Sequence, residues 1–434
     1  MNYKKLLTLI SLSTLASSCS DKVVLEGERK ELILQSKTIA TDAIAQAEAV
    51  VLSAPRTVNN WEMQGYNTTH TVPHLKFSGS FNHVATVNGG SGVGQGKIVL
   101  YTPVIQNDRL YVVDTNGRLK CYDVLTQSLL WEKEYVSEKQ VQRTLSVTGI
   151  TVNGDMGYLS LSTDQALAVR LDNGDVVWQQ QLSDIARIPP VVQDATVYYT
   201  NIDNMLEARD TKTGQQKWVY QSIQEEAMLL GGANVSTTTT QVIAPFASGE
   251  VAALSPSGTM IWNDQISSAT PGNIINNIQH IYAPVAMDKH LMFASSHAGS
   301  LIAYNASTGR RVWEQPILTL QAPALTDSHM FVVDNQQRLM CLKKASGQVK
   351  WMKQLKIAED TFSVSEAPIY WYGPLLLSNH LTLFASNGTV LRMDLNTGDV
   401  KQTITLDHEI AMAPIVVKDR CYVVTPKNDI KVYE

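Results

Sequence analysis

The sequence predicts an all-β protein, a single eight-bladed β-propeller built from four-stranded blades. Three observations lead to this fold. A motif of eleven residues recurs along the chain, its starts are spaced by 38 to 51 residues, and two short apolar strands precede each copy. This spacing is typical of four-stranded propeller blades, whereas solenoid repeats are more regular.

The motif combines a small residue, a polar turn, a glycine and a tryptophan. It is clearest in ARDTKTGQQKW, residues 208–218, and it occurs seven times. Six of the eight tryptophans stand at its last position, which chance placement does not explain. These are Trp131, Trp178, Trp218, Trp262, Trp313 and Trp351, whereas the seventh copy has Gln402.

Each residue of the motif suits a strand, a turn and a second strand. Ala208 is small, as expected on an inner strand where neighbouring sheets approach closely. Asp210 and Gly214 predict a hairpin with a bulge, because Asp bonds nearby backbone N–H groups and Gly accepts positive φ. Trp218 opens the outer strand and is large enough to wedge adjacent sheets together. With strand pairs such as PPVVQDATVYY ahead of it, each repeat holds about four strands.

Eight blades of about 45 residues account for the 360 residues from Leu75 to Glu434. The last blade has no Trp motif, because the chain ends inside it after supplying three strands. The best candidate for its fourth strand is HLKFSGSF, residues 74–81. Pairing the two ends of the propeller in one sheet would remove an open edge.

Residues 1–18 are predicted to be a lipoprotein signal peptide. A basic start is followed by an apolar run from Leu6 to Ala16 and by small residues before Cys19. The run is too short to cross a bilayer as a helix, which needs about 20 residues. LASSC resembles a lipobox, with Ala16 where Leu is usual, so we expect Cys19 to be acylated and to anchor the chain. Ser20 favours the outer membrane by resemblance to lipoprotein sorting rules, and an ordinary cleavage site near Cys19 is the alternative.

Two further ranges complete the predicted organisation. Residues 19–60 lack strand periodicity and are predicted to be a lipid-anchored flexible tether, with some helical character. Residues 61–434 are predicted to be the propeller, closed by its N- and C-terminal strands.

Composition and motifs argue against several functions. The chain has 35 Lys and Arg against 40 Asp and Glu, without basic clusters, so no nucleic-acid partner is predicted. His70, His74 and His83 lie in a non-helical stretch, which favours solvated or locally bonded imidazoles over a zinc site. GGSGVGQGK, residues 89–97, matches neither phosphate-loop pattern. We therefore predict no catalytic residue and no metal ligand.

The repeat resembles that of the pyrroloquinoline-quinone-dehydrogenase-like propellers. With its lipobox, the chain resembles the BamB family of outer-membrane protein assembly factors, and LEGERKEL (25–32) and NWEMQGYNTTH (60–70) look like N-terminal segments of alphaproteobacterial members. This resemblance implies a non-catalytic scaffold without a cofactor, anchored in the outer membrane and facing the periplasm. It also implies docking onto the periplasmic domains of a BamA-type subunit and help in folding and inserting unfolded β-barrel clients.

One alternative is a periplasmic enzyme of the same superfamily. By resemblance, quinone-dependent dehydrogenases need an adjacent Cys-Cys pair, an acidic Ca²⁺ site and long blade insertions. Cys121, Cys341 and Cys421 are not adjacent, and their small-residue or apolar positions favour buried thiols.

A second alternative is a propeller that binds glycans or peptides. Tyr282, Tyr370, Trp371 and Tyr372 are the candidate rim aromatics, although YWYG, residues 370–373, also suits a blade strand.

The resemblance places partner contacts in two loops, EEAMLLGGAN (225–234) and TPGNIINNIQHIYAP (270–284). An apolar anchor of the family matches Leu229 and Leu230, its neighbouring Arg falls on Gly231, and its acidic contacts fall near three amide side chains. Burial of the two leucines between blades is the alternative. The predicted partner-binding residues are Leu229, Leu230, Asn276, Asn277 and Gln279.

Overall fold

A computed structural model describes residues 39–92, 101–136, 149–161, 164–225, 229, 231–266, 279–358 and 368–434. All of them belong to one unit, Lys37–Glu434. They form eight four-stranded antiparallel sheets arranged as an eight-bladed β-propeller, which confirms the predicted fold. Within the described ranges no helix is long and apolar enough to span a bilayer. The predicted signal peptide and Cys19 lie outside them.

The strands follow one another from the central channel outwards within each blade. Blade 1 contains β2 (Val104–Gln106), β3 (Arg109–Val113), β4 (Arg118–Asp123) and β5 (Leu129–Glu134). Blade 2 contains β6 (Gly149–Asn153), β7 (Met156–Ser160), β8 (Gln165–Arg170) and β9 (Val176–Gln181). Blade 3 contains β10 (Val191–Gln193), β11 (Thr196–Thr200), β12 (Met205–Asp210) and β13 (Gln216–Gln221). Blade 4 contains β14 (Ser236–Thr237), β15 (Val242–Pro245), β16 (Glu250–Leu254) and β17 (Met260–Gln265).

The second half of the ring repeats this order. Blade 5 contains β18 (Ala286–Asp288), β19 (Leu291–Ser296), β20 (Ser300–Asn305) and β21 (Arg311–Gln315). Blade 6 contains β22 (Ala324–Leu325), β23 (His329–Val333), β24 (Arg338–Lys343) and β25 (Val349–Gln354). Blade 7 contains β26 (Trp371–Leu377), β27 (His380–Ala385), β28 (Thr389–Met393) and β29 (Val400–Thr405). Blade 8 contains β30 (Ile415–Val417), β31 (Arg420–Val424), β32 (Asp429–Tyr433) and, from the start of the chain, β1 (His83–Asn88).

Blade 8 closes the ring by joining both ends of the propeller, as predicted, but with a different N-terminal strand. β1 pairs antiparallel with β32, and His83 lies opposite Tyr433. The expected strand, residues 74–81, instead lies across blades 7 and 8. Its alternating Leu75, Phe77 and Phe81 are all buried in the largest apolar cluster, so the period of two reflects burial rather than sheet pairing.

The predicted hairpin with a bulge forms at all seven motif copies. In blade 3, Asp210 Oδ1 accepts backbone N–H bonds from Lys212 and Thr213, and Gly214 has a φ of +71°. The register shifts after Ala208, which lies directly opposite Trp218. Ala208 therefore belongs to the third strand rather than an inner one, and its small side chain faces the indole across the hairpin.

Each motif tryptophan packs on the motif glycine of the following blade. A Cβ at Gly214 would lie 2.6 Å from Trp178 Cε3, and Trp178 Nε1 donates to the Thr211 carbonyl at 2.9 Å. This confirms that the motif joins sheets, because the glycine supplies both the positive φ and the room for the indole. The Trp–Gly pairs are Trp131–Gly174, Trp178–Gly214, Trp218–Gly258, Trp262–Gly309, Trp313–Gly347 and Trp351–Gly398.

Residues 39–82, here called the N-terminal segment, contact all eight blades. Helix α1 (Ala43–Ala47) is capped by Asp42 and lies beside β25, and Thr41 pairs with Val349 of the same strand. Residues 39–60 of the predicted tether thus lie against the blades, and the flexible tether stays a prediction for residues 19–38, outside the described ranges. The other contacts, blade by blade, are Trp61–Ile105, Glu62–Val152, Thr68–Gln193, Thr68–Thr237, Thr69–Met287, Leu75–Leu376 and Val58–Lys418.

Candidate partner-binding face

The propeller has two faces with different connections. In four antiparallel strands, the first and third turns lie at one end of the sheet, whereas the second turn and the link to the next blade lie at the other. The N-terminal segment covers the face of the first turns, as its bonds to Asn107, Asn379 and Asp419 show. The opposite face carries the links between blades, and both loops predicted to bind a partner are such links.

The two predicted loops meet on this linking face. Leu229 follows blade 3, Gln279 follows blade 4, and both are half-buried. The Leu229 N–H donates to His280 Nδ1 at 3.3 Å, so the two links contact each other directly. Gln279 is fixed by Gln265 Nε2 at 3.0 Å and by Ser296, whose hydroxyl donates to its backbone carbonyl. Leu230, Asn276 and Asn277 lie outside the described residues.

A buried cation that the sequence analysis missed lies beneath these loops. Arg187, in the link from blade 2 to blade 3, is 2% exposed. Its Nη1 lies 3.4 Å from Asn204 Oδ1, while its Nε and Nη2 have no partner among the described residues. Burial lowers the pKa of Arg187 to about 10. No sequence signal marked this residue, since a single arginine in a loop normally lies in solvent.

His280 does not compensate the charge of Arg187. Its Nδ1 accepts from Leu229, so the neutral ring carries its proton on Nε2, which lies 3.4 Å from Arg187 Nη1. Two donors face each other there. Burial, with Arg187 and His297 nearby, lowers the pKa of His280 to about 3, so the ring stays neutral at physiological pH. Gly232 has a φ of +149°, and a Cβ at that position would lie 3.2 Å from His280 Nε2, so the loop backbone closes tightly over the pair.

The central channel holds a cavity of about 420 Å³ between the N-terminal segment and the linking face. Its described lining residues do not suit the quinone and Ca²⁺ of related dehydrogenases. Those residues include no Lys or Arg to bind an anionic quinone, and their carboxylate, Asp334, is already paired with Arg338 at 2.6 Å. In the described part of the chain, no three His, Cys, Asp or Glu side chains are grouped as metal ligands.

The cysteines and histidines singled out in the sequence have structural surroundings. Burial raises the pKa of Cys121 to about 11 and of Cys341 to about 12, and both are free, buried thiols like Cys421. His70 and His74 are buried rather than solvated. His70 Nε2 lies 3.0 Å from the Val235 carbonyl, and His74 bonds Ser53 and Asn379.

The rim aromatics do not form one exposed surface. Trp371 begins β26 and is buried, so YWYG serves mainly as a blade strand. Tyr370 is 52% exposed, and Tyr282 and Tyr372 are half-buried in the cavity wall.

Comparisons with known proteins agree on the fold and on one family. Outer membrane protein assembly factor BamB of Yersinia pestis is 24% identical over 319 residues, which span 72% of this chain and 79% of that protein. The crystal structure of BamB from Moraxella catarrhalis aligns with a TM-score of 0.67 at 14% identity, over 82% of this chain and 99% of that one.

An enzyme with the same fold aligns nearly as well. Quinohemoprotein alcohol dehydrogenase from Comamonas testosteroni has a TM-score of 0.63 at 12% identity, covering 86% of this chain and 80% of that chain, so this likeness shows the fold alone. The family model described as outer membrane protein assembly factor BamB separates the two, because it matches residues 82–180 and 140–353, together more than half of the sequence. This chain therefore belongs to the BamB family of outer membrane protein assembly factors.

Proposed function

We propose that this protein is a non-catalytic scaffold of the machinery that assembles β-barrel proteins in the outer membrane. In this proposal its linking face docks onto the periplasmic domains of a BamA-type subunit, and the docked propeller aids the folding and insertion of client barrels. Membership of the BamB family is the observation that carries the proposal.

The geometry of the linking face supports the choice of docking surface. The opposite face is occupied by the chain's own N-terminal segment, which bonds the first turns of several blades. On the linking face, Leu229 is half-buried, and its N–H donates to His280, so one hydrogen bond restrains its backbone. An apolar anchor on a restrained backbone loses less conformational entropy on binding, which favours an interface hot spot.

The test is crosslinked affinity purification from native outer membranes with mass spectrometry of the recovered proteins. Wild type is compared with the double variant Leu229→Asp, Leu230→Asp, which places charges in the anchor. The matched control is Leu129→Asp, Leu130→Asp, a second adjacent pair that is exposed on the outer strand β5 of blade 1.

We expect wild type and the control to recover a BamA-type barrel subunit and the Leu229, Leu230 variant to lose it at least tenfold. Circular dichroism must show the β-propeller intact in all three. Failure of wild type to recover any assembly subunit would refute the scaffold role. Equal loss in the control would show that the linking face is not the specific surface.

We also propose that Cys19 carries the lipid that holds the protein on the outer membrane, facing the periplasm. Its position after a short apolar run supports this. Cells grown with an alkyne palmitate analogue should label wild type but not Cys19→Ala, and the variant should appear in the soluble periplasmic fraction. A labelled Cys19→Ala protein would contradict the assignment.

A further inference from the structure

We propose that the central cavity is a binding site for a tyrosine side chain of an extended polypeptide. The cavity lies in the propeller axis, with Trp61, Gly65 and His70 of the N-terminal segment on one side and the links of blades 5 to 8 on the other. The biological source of the ligand, an unfolded client, rests on the proposed function. The binding chemistry is independent of it.

The walls of the cavity favour an aromatic ring. Trp61, Tyr282, Tyr370, Trp371 and Tyr372 all line it, and its volume of about 420 Å³ lies within the range of ligand pockets. Aromatic pairs contribute beyond area burial when their centroids lie 4.5 to 7 Å apart, which a ring enclosed by several others achieves readily.

Three polar side chains of the wall, Gln321, Asp334 and Gln337, are engaged within the protein. Gln321 donates from Nε2 to the Trp371 carbonyl at 2.7 Å and accepts from the Gly373 N–H at 2.8 Å. Gln337 Oε1 accepts from the Trp371 N–H at 3.0 Å, and Asp334 is held by Arg338. These bonded atoms are therefore not available to a ligand, whereas a glycan would need many open donors and acceptors.

Three buried polar atoms of the lining residues have no partner among the described residues. They are Trp61 Nε1, a donor, Thr102 Oγ1, a donor and acceptor, and His70 Nδ1, an acceptor because Nε2 donates to the Val235 carbonyl. A buried polar atom without a hydrogen-bond partner costs free energy, so a ligand oxygen that forms a hydrogen bond with it is bound more tightly. Since the described lining residues include no Lys or Arg, that oxygen should be uncharged. A phenol combines an apolar ring with one neutral polar oxygen.

The mouth of the cavity favours a polypeptide over a free small molecule. Leu320, 40% exposed, and Tyr370, 52% exposed, lie at the rim of the linking face and form an apolar surface beside the opening of the cavity. Residues that flank a buried tyrosine would contact this rim, whereas an isolated phenol would leave it in water.

The experiment measures binding of three dye-labelled peptides to the full purified chain by fluorescence polarisation. The probes are acetyl-Gly-Ser-Gly-Xaa-Gly-Ser-Gly-amide with Tyr, Phe or Ala at the central position. We expect the Tyr peptide to bind about threefold to tenfold more tightly than the Phe peptide, the range of one net hydrogen bond. The Ala peptide should bind weakest.

Three variants identify the site. Trp61→Phe keeps an aromatic ring at this position but removes the N–H. It should lower the affinity for the Tyr peptide to that for the Phe peptide and leave the affinity for the Phe peptide unchanged. Ala322→Trp places a large side chain in the cavity and should abolish binding of both the Tyr and the Phe peptide. Ala195→Trp, exposed on the turn between β10 and β11, is the matched control and should bind like wild type. Circular dichroism confirms the fold of each.

Equal binding of the Tyr and Ala peptides by wild type, or binding unchanged in Ala322→Trp, would overturn the inference. N-acetyl-tyrosinamide binding as tightly as the Tyr peptide would refute the polypeptide part. Loss of peptide binding while wild type still recovers an assembly subunit would remove this inference alone. Recovery of no assembly subunit, with the Tyr peptide still bound, would instead remove the proposed function alone.

Discussion

Substitution of Gly214 by alanine tests the contact that joins blade 2 to blade 3. Gly214 has a φ of +71°, and an added Cβ would lie 2.6 Å from Trp178 Cε3 and 2.7 Å from Gln180 Cγ. Two costs therefore add. The left-handed conformation costs an alanine about 1 to 2 kcal/mol, and overpacking against the indole costs about 1 to 3 kcal/mol more.

The chain supplies a control that separates the two costs. Gly154 has a φ of +58° in the turn between β6 and β7, and an added Cβ there would meet nothing within 4 Å. We expect Gly154→Ala to lower the free energy of unfolding by about 1 to 2 kcal/mol and Gly214→Ala by about 2 to 5 kcal/mol. Urea denaturation followed by circular dichroism, at equal m-values, measures the difference.

A double variant then identifies the neighbour responsible. Trp178→Ala removes the indole, so adding Gly214→Ala in that background should cost no more than Gly154→Ala does in the wild type. Equal costs for Gly214→Ala and Gly154→Ala in the wild type would refute the reasoning. An excess that persists after Trp178→Ala would assign it to Gln180 or to the backbone instead of the tryptophan.

Three further predictions concern buried polar groups. Trp178→Phe loses the bond to the Thr211 carbonyl, whereas Trp262 Nε1 has no partner among the described residues, so Trp178→Phe should destabilise the protein by about 1 kcal/mol more than Trp262→Phe. The urea midpoints of the two variants measure this difference, and equal midpoints would contradict the prediction. Burial lowers the pKa of His70 to about 4, below its unfolded value, so its neutral form is needed for folding and stability is lost as pH falls from 6.5 towards 4. His70→Gln should reduce the loss of unfolding free energy between pH 7 and pH 5 by about 2 kcal/mol, and an unchanged pH profile would count against the assignment. Arg187→Met should raise the free energy of unfolding at pH 7 by about 1 to 3 kcal/mol. Burial lowers the pKa of this arginine, so burying its charge costs free energy at every pH at which it is protonated. A variant that is less stable in urea would show that other groups compensate the charge.

The fold was predictable because its determinants are local. Asp210, Gly214 and Trp218 stand within one hairpin, and their backbone conformation and hydrogen bonds depend on residues a few positions away. A local signal repeated seven times fixes the blade length, and with it the number of blades. Even the partner of the tryptophan follows from the motif, because the glycine of the next copy has no Cβ and leaves room for the indole.

The candidate site was only partly predictable. Leu229 and Gln279 were predicted as partner-binding residues from the family resemblance, and the structure brings their loops together through His280. No sequence pattern marked Arg187 or His280 as buried, because their burial results from three blade links that close over them. The residues that line the central cavity are likewise scattered along the chain from Trp61 to Ile415.

The sequence by itself determined the repeat, the hairpin chemistry and the closure of the ring by both chain ends. The tertiary structure alone decided the strand that closes it, β1 instead of residues 74–81, and the path of the N-terminal segment across all eight blades. The physical reason is the same for both. An apolar residue such as Phe77 indicates from the sequence only that its side chain will be buried. The surface that buries it, here blades 7 and 8, lies some 300 residues further along the chain and forms only when the ring closes.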